Sequence, residues 1–479
     1  MTRYEAVIGL EIHIQIKTAG KAFCRCASDY NAPPNSNICP VCTGAPGALP
    51  VLNDEFVTRA VSFCLALGAQ VNLTSSFDRK NYFYPDMPKN YQITQFFTPI
   101  GAEGRLMVTG ADGTERDIRI ERIHMEEDTA KSAHMGERTL LNFNRAGLPL
   151  IEVVSHPDLK SGEEAAQYFK KIYDIAVKYL DICHGNMEEG NLRCDANVSI
   201  RPVGSTDLFT KAEVKNVNSF AFIAKAIDYE IERQIAIVEA GGAVESETRL
   251  WNAKLKRTET MRKKSGRNDY RYFNEPDLGP LRITTEFVEK VRRTLPELPD
   301  AKRRRLKDSY GLNSELLDLF VGYPAVCAYF ERSAECYPAG GRTIASWIAG
   351  ELLRVEDKEH FEAVKTPPAH IASIARLVDE KRVTGPQAKE LFVVMRETGN
   401  DPKEIVAVDP RFQQMAGNES AALVTEVLDA SPSEVEKYLG GKENLLGFFV
   451  GQVMKRSKGK ADPAEVTEMI KKELTKRKK

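Results

Sequence analysis

Ten residues near the N-terminus constrain the fold of this chain more than any other feature. Ile8, Leu10, Ile12, Ile14 and Ile16 alternate with Gly9, Glu11, His13, Gln15 and Lys17. A period of two sends successive side chains to opposite faces of a β-strand. The isoleucines therefore face a core, while Glu11 and His13 share the opposite face. Leu192, Cys194, Ala196, Val198 and Ile200 alternate in the same way with Arg193, Asp195, Asn197, Ser199 and Arg201. Residues 211–215, Lys-Ala-Glu-Val-Lys, read as a short third strand with Glu213 between two lysines. These patterns predict half-buried strands, apolar on one face and polar on the other.

Helical signals are sparse in this part of the chain. Ser161-Gly-Glu-Glu164 is a capping box that opens a helix through Ala165, Tyr168, Phe169, Ile172 and Ile175. The character changes at Leu295-Pro-Glu-Leu-Pro-Asp300, a linker by composition. Beyond it the pattern is helical. Thr384-Gly-Pro-Gln387 and Ser431-Pro-Ser-Glu434 each place a hydroxyl N-cap three residues before Gln or Glu. Pro432 sits at a first helical position, where its missing N–H costs nothing. Asp462-Pro-Ala-Glu465 repeats the arrangement, and Gly440-Gly441 ends the preceding helix. The expected fold class is α+β: a mixed domain at 1–295, an all-helical domain at 296–405 and a small helical tail at 406–479.

A chain of 479 residues accommodates about two to four domains. No apolar run approaches the ~20 residues of a membrane helix, and the N-terminus has no apolar signal core. A cytoplasmic protein without membrane contact is expected. Lys+Arg number 67 and Asp+Glu 68, a net charge of −1, which argues against a nucleic-acid binder that works by bulk electrostatics alone. The balance is uneven along the chain. The last 25 residues hold ten lysines and arginines against four acids. That run is either a solvated face or a contact for RNA phosphates.

Four of nine cysteines, Cys24, Cys26, Cys39 and Cys42, fall within nineteen residues. Two close pairs flanking a loop such as Asn-Ala-Pro-Pro-Asn-Ser-Asn can supply the four soft ligands of a tetrahedral zinc site. Closed at four ligands, such a site stabilises rather than catalyses. Four unmetallated thiols or a redox role are the alternatives.

Several acidic residues sit where charge is costly. His124-Met-Glu-Glu-Asp128 follows a short strand (Ile118, Ile120) and packs three carboxylates together, which repel unless something positive lies among them. Glu152 interrupts the apolar run Leu148-Pro-Leu-Ile-Glu-Val-Val154. If these segments converge with Glu11, His13, Asp195 and Glu213, one histidine among carboxylates makes a hard site suited to Mg²⁺ or Mn²⁺. Such a site serves phosphoryl transfer. No Gly-x-x-x-x-Gly-Lys-Ser/Thr loop is present, so it is not that of a P-loop enzyme. Residues 77–92 interleave basic and aromatic side chains, from Phe77 through Lys80 and Tyr82 to Gln92, and Asp269-Tyr-Arg-Tyr-Phe273 is similar. Both suit a single-stranded nucleic-acid end, or an aromatic-rich core turn. Lys80, Tyr82 and Arg193 are candidate contacts for a nucleotide cofactor.

In order along the chain, these segments resemble the GatB family, the B component of the tRNA-dependent amidotransferases. The pieces that carry the resemblance include Val7-Ile-Gly-Leu-Glu-Ile-His13, the four cysteines, residues 78–92, and His124-Met-Glu-Glu-Asp128. Further pieces are residues 144–153, Met187-Glu-Glu-Gly-Asn-Leu-Arg-Cys-Asp-Ala-Asn197, Lys211-Ala-Glu-Val-Lys-Asn216 and Gly447-Phe-Phe-Val-Gly-Gln-Val-Met454. The resemblance spans essentially the whole chain.

It implies a cradle-shaped N-terminal domain, a helical domain and a YqeY-like tail that binds tRNA. It implies ATP-dependent phosphorylation of the side-chain carboxylate of Glu on tRNA(Gln) or Asp on tRNA(Asn), then displacement of phosphate by ammonia. The ammonia comes from a separate amidase (A) subunit, held by a small (C) subunit in a heterotrimer. The resemblance also assigns His13, Glu126 and Glu152 to the Mg²⁺ that serves ATP. It assigns Glu11, Asp195 and Glu213, with Glu126 shared, to a second divalent metal. The cysteines would hold structural Zn²⁺. The chain departs from the family pattern at Thr129-Ala130, at Ser265 and at Asn274, none of them an expected ligand. A non-catalytic tRNA-binding module and a stand-alone metal-dependent phosphohydrolase are the competing readings.

Overall fold

A computed structural model describes residues 4–29, 31–110, 113–215, 217, 219–263, 270–412, 417–457 and 460–477. Asn216, Ser265, Asp269, Lys458, Lys478 and Lys479, on which sequence readings fall, lie outside the described residues. The chain divides into two compact units, Met1–Pro299 and Asp300–Lys479.

The first unit runs β1 (Tyr4–Gln15), α1 (Asp54–Ala66), β2 (Gln70–Val71), β3 (Thr74–Ser75), β4 (Asp78–Asn81), β5 (Tyr91–Thr94), β6 (Gly101–Thr109), β7 (Glu115–Glu127), β8 (Lys131–Met135) and β9 (Arg138–Asn142). It continues with β10 (Pro149–Ser155), α2 (Gly162–Tyr173), β11 (Leu192–Pro202), β12 (Ala212–Lys215), α3 (Phe220–Glu239), β13 (Glu247–Asn252), β14 (Arg257–Lys263), β15 (Phe273–Asn274), β16 (Leu281–Arg282) and α4 (Thr285–Thr294). Nine strands form one sheet in the order β14-β13-β12-β11-β1-β10-β7-β6-β2. Only the β12–β13 pair in it is parallel.

The two alternating segments become neighbours at the centre of this sheet. β1 pairs with β11 so that Glu11 lies opposite Asp195 and His13 opposite Arg193. On the other face Ile8, Leu10, Ile12 and Ile14 merge with Cys194, Ala196 and Val198 and with residues of α1, α2 and α3 into one core. Buried apolar side chains of this size each contribute about 1.5–3 kcal/mol. Among its described residues this unit has four α-helices, in keeping with the few expected. α1 is capped by Asn53, whose Oδ1 accepts from the backbone N–H of Glu55. Ser161 caps α2, accepting from the N–H of Glu164, but the expected box is only half formed: Glu164 Oε2 accepts from the N–H of Lys160 at 2.8 Å. β7 is longer than expected: it carries Ile118 and Ile120 and runs unbroken through His124, Glu126 and Glu127.

The second unit contains no strand among its described residues. Its helices are α5 (Pro299–Tyr310), α6 (Ser314–Gly322), α7 (Pro324–Cys336), α8 (Gly341–Gly350), α9 (Pro368–Asp379), α10 (Gly385–Thr398), α11 (Pro402–Val408), α12 (Gly417–Asp429), α13 (Pro432–Leu439), α14 (Leu446–Arg456) and α15 (Pro463–Arg477). They enclose two cores. One gathers buried residues between Leu306 and Phe412, the other between Val424 and Leu474. Thr384 and Gln387 form the expected capping box of α10. Asp462 caps α15 through Ala464 N–H at 2.7 Å. Ser431 departs from expectation: α13 begins at Pro432, but the Ser431 hydroxyl makes no capping bond because its backbone, at ψ 51°, is not extended. Among the described residues no helix is long and apolar enough to cross a membrane.

Candidate active site and cysteine knuckle

The polar face of the nine-stranded sheet collects the acidic residues that the sequence leaves scattered. Register does this. His13 on β1 lies opposite Glu152 on β10, and Glu152 lies opposite His124 on β7. Glu126 is two residues along β7 from His124 and so shares its face. His13 Nε2 is 3.7 Å from Glu126 Oε1 and 3.6 Å from Glu152 Oε2. One ligand atom from each of His13, Glu126 and Glu152 falls within 4.8 Å of the others.

A second trio lies on neighbouring strands of the same face. Glu11, Asp195 and Glu213 also bring one carboxylate oxygen each to within 4.8 Å of one another. Hydrogen bonds orient two of them: Asn197 Nδ2 donates to Glu11 at 2.9 Å, and the Thr248 hydroxyl donates to Glu213 at 3.0 Å. The Lys215 ammonium pairs with Asp195 and lies 3.0 Å from Glu213.

Charge in the first trio is held by histidine. His124 is buried, and its Nε2 lies 2.8 Å from Glu152 Oε2 and 3.7 Å from Glu126 Oε2. Burial works against an imidazolium there, but Glu152 and Glu126 more than offset it and hold the pKa up at about 9. In return His124 keeps Glu126 and Glu152 below the ordinary carboxylate range despite burial. His124 Nδ1 is buried without a hydrogen-bond partner among the described residues. The sequence reading passed over His124, although its i, i+2 spacing from Glu126 on a strand was a signal for it. Thr248 left no such signal, because it reaches Glu213 only through the β12–β13 pairing.

The basic and aromatic candidates divide. Burial opposes the charge of Lys80, while Glu126, Tyr272 and Glu152 raise its pKa. Its ammonium lies 5.0 Å from the centre of the Tyr270 ring. Burial and the nearby acids Asp86, Glu126 and Glu127 push the Tyr82 phenol up. Arg193 is held by Asp128, 3.1 Å away, which raises the guanidinium's pKa against burial. Arg79 and Lys89 are committed to acids: Arg79 to Glu275 at 2.8 Å, Lys89 to Glu127. Phe83 and Tyr84 are exposed, and Phe96 stacks on Tyr272 at 4.0 Å. In the basic tail, Arg456, Lys471, Lys476 and Arg477 each pair with an acid. Exposed pairs of this kind are worth about 0–1 kcal/mol.

The sulfurs of Cys24, Cys26, Cys39 and Cys42 come within 4.8 Å of one another. Against them lies Lys21, fully buried, its Nζ 3.5 Å from Cys42 Sγ and 3.2 Å from the Phe143 carbonyl. A buried ammonium requires an anion. A hydrogen bond from Cys24 draws the Cys42 sulfur down to about 4 against burial, with help from Lys21. This donor set fits a metal that takes thiolates. The loop between the cysteine pairs is fastened to the chain leading into β10. Asn35 Nδ2 donates to the Leu141 carbonyl at 3.1 Å, Asn37 N–H to Asn144 Oδ1 at 2.9 Å, and Asn144 Nδ2 to the Pro33 carbonyl at 2.9 Å.

Comparison with known proteins agrees over both units. The family model described as the GatB/GatE catalytic domain matches residues 6–289, and that described as the GatB domain matches residues 328–474. Among similar proteins, one from Persephonella marina is 45% identical over 469 residues, covering 98% of each chain. One from Thermosynechococcus vestitus is 46% identical over 484 residues, covering 98% of this chain and 96% of its own. One from Solidesulfovibrio magneticus is 46% identical over 478 residues, covering 99% and 100%. All three are named as the B component of an aspartyl/glutamyl-tRNA(Asn/Gln) amidotransferase.

Proposed function

The chain belongs to the GatB family, and on that premise we propose that it carries out the ATP-dependent amidation of misacylated tRNA. The substrate is the side-chain carboxylate of Glu on tRNA(Gln), of Asp on tRNA(Asn), or of both. A carboxylate oxygen attacks the γ-phosphorus of ATP and ADP leaves, giving an acyl phosphate. Ammonia then attacks the acyl carbon, phosphate departs, and the amide remains. Glutamine hydrolysis in the amidase (A) subunit supplies the ammonia, and the small (C) subunit completes the heterotrimer. Neither step needs a side-chain nucleophile from this chain.

The observation that carries the reading is the gathering of both acidic trios on one face of one sheet. His13, Glu126 and Glu152 are the proposed holders of Mg²⁺, which when bound orients the γ-phosphate and screens it from the incoming carboxylate. Glu11, Asp195 and Glu213, with Glu126 shared, are the proposed second divalent site. The Lys215 ammonium, already a cation among these oxygens, supports that assignment. His124 positions Glu152, and Asn197 and Thr248 position Glu11 and Glu213. Lys80, Tyr82 and Arg193 are the proposed nucleotide contacts. Cys24, Cys26, Cys39 and Cys42 are the proposed ligands of a structural Zn²⁺, supported by the buried Lys21. Residues 406–479 are the proposed tRNA-binding tail, after a cradle at 1–295 and a helical domain at 296–405.

The test combines the chain with its amidase and small partners, ATP, glutamine and each misacylated tRNA. Formation of Gln-tRNA(Gln) or Asn-tRNA(Asn) is expected, with Glu126→Gln at least about 100-fold slower. No product with either tRNA, or full activity in Glu126→Gln, overturns the reading.

A further inference from the structure

Lys215 does something in this sheet that an ordinary ion pair does not. It follows Glu213 by two residues on β12, so both side chains rise from the same face. Its ammonium meets two carboxylates at once, Asp195 from β11 and Glu213 from its own strand. These are two members of a trio whose oxygens crowd within 4.8 Å. Three carboxylates at that spacing repel strongly unless a cation lies among them. Lys215 supplies one positive charge against three negative ones, which leaves the cluster two charges short of neutrality. A divalent cation in the lysine's place would offset two of the three charges, one more than the ammonium does, and it would contact the same oxygens that the ammonium now occupies.

The side chain is also suited to leave. Asp195 and Glu213 are 18% and 12% exposed, whereas Lys215 is 33% exposed, so a path to solvent exists on its side. Lysine carries a compact charge on a flexible four-carbon stem, unlike the planar guanidinium of Arg193, which Asp128 pins. Two of the three carboxylates, by contrast, are held from behind: Glu11 by Asn197 and Glu213 by Thr248. Cation exchange would therefore move the lysine and leave the oxygens of Glu11 and Glu213 in place.

We propose that Lys215 is the resident counter-cation of the Glu11–Asp195–Glu213 cluster, and that a divalent ion enters only by displacing it. This rests on the reading of that trio as a second divalent site. The lysine lowers the affinity of the site for metal while keeping three acids folded together in its absence. It thus acts as a positioning residue: without metal it holds the trio in register, and with metal it withdraws.

Mn²⁺ alone is the probe, titrated into the full-length chain and followed by electron paramagnetic resonance. Wild type is compared with Lys215→Met, Lys215→Arg, Glu213→Gln and the Lys215→Met/Glu213→Gln double variant. Removing a competing cation is expected to tighten one Mn²⁺ about tenfold in Lys215→Met, about 1.4 kcal/mol. Lys215→Arg should keep the weaker wild-type affinity, and the double variant should lose the gain. Metal-free Lys215→Met should also melt below wild type and recover on adding Mn²⁺. Should Lys215→Met not fold without metal, Lys215→Gln, which keeps a hydrogen-bonding terminus, serves in its place. If Glu213→Gln loses a bound Mn²⁺ while Lys215→Met and wild type bind alike, the trio takes metal and the displacement is overturned. If Glu213→Gln, Lys215→Met and wild type all bind alike, the trio is not a cation site, and the metal reading falls with the proposal.

Discussion

Single residues with no freedom to choose their surroundings carry much of this protein's chemistry. Lys21 is fully buried and finds its partners in Cys42 and a carbonyl. An N–H···S bond from a cation stabilises a coordinating thiolate, as outer-shell partners of metal ligands generally do. Lys21→Met keeps the length of the stem and removes the charge. It should speed loss of the proposed zinc to a chelator by about 10- to 100-fold, followed with a colorimetric zinc indicator. Unchanged release would mean that Lys21 only fills space. Gly147 lies in the same place, at φ +84°, where a Cβ would come within 3.5 Å of both Cys42 and Lys21. Those distances are ordinary contacts; glycine is favoured there by the left-handed backbone, which side chains with a Cβ rarely adopt.

Elements hold the site through contacts remote from it. α2 and α3 approach closely at Gly162, where a Cβ would lie 2.3 Å from the Ala224 carbonyl oxygen. That oxygen belongs to helix backbone and cannot turn aside. Gly162→Ala should therefore cost about 1–3 kcal/mol in urea unfolding, and an unaltered midpoint would refute the close approach. β13 is tied to α3 by a buried charge network: Arg249 on β13 lies 3.3 Å from Glu230 on α3, and Arg233 on α3 lies 3.3 Å from Glu247 on β13. Burial alone would raise the Glu247 carboxyl, but Thr260 and Arg249 outweigh it and lower its pKa. A carboxyl lowered in the folded state adds stability above its unfolded pKa and loses it as pH falls through the folded value. The advantage in melting temperature of wild type over Glu247→Gln should thus be full near neutrality. It should shrink as pH drops below the ordinary glutamate range, and a gap independent of pH would contradict the assignment.

At the scale of the whole molecule, charge is distributed by task. The balanced total conceals an acidic cluster on one face of a sheet and a surplus of six positive charges in the last 25 residues. Pairing within the tail tempers that surplus, since Arg456 and Arg477 answer to Glu426 and Asp429. The core between Val424 and Leu474 gathers its own helices, so a chain ending at Phe412 removes it entire. That truncation should raise the KM for misacylated tRNA at least about tenfold while leaving ATP affinity nearly unchanged, because tRNA contact through phosphates is distributed over many cations. Weakened ATP binding with intact tRNA use would reverse the assignment of the tail.

What the sequence determined by itself is local. Alternation assigned Glu11, His13, Asp195 and Glu213 to polar strand faces, because side-chain direction in a strand depends only on position along it. Capping chemistry placed the start of α2 and α10 for the same reason, since the bonds close within four residues. The tertiary structure decided adjacency. Which strands are neighbours, and in what register, depends on burying both apolar faces at once, and a slip of one residue would reverse every face. That decision brought Glu152 to His13 across 139 positions of sequence and set His124 between two carboxylates. It also put Thr248 behind Glu213 and drew Lys21 into the cysteines. No periodicity announces such contacts, because each is a property of two distant segments and of the core that holds them together.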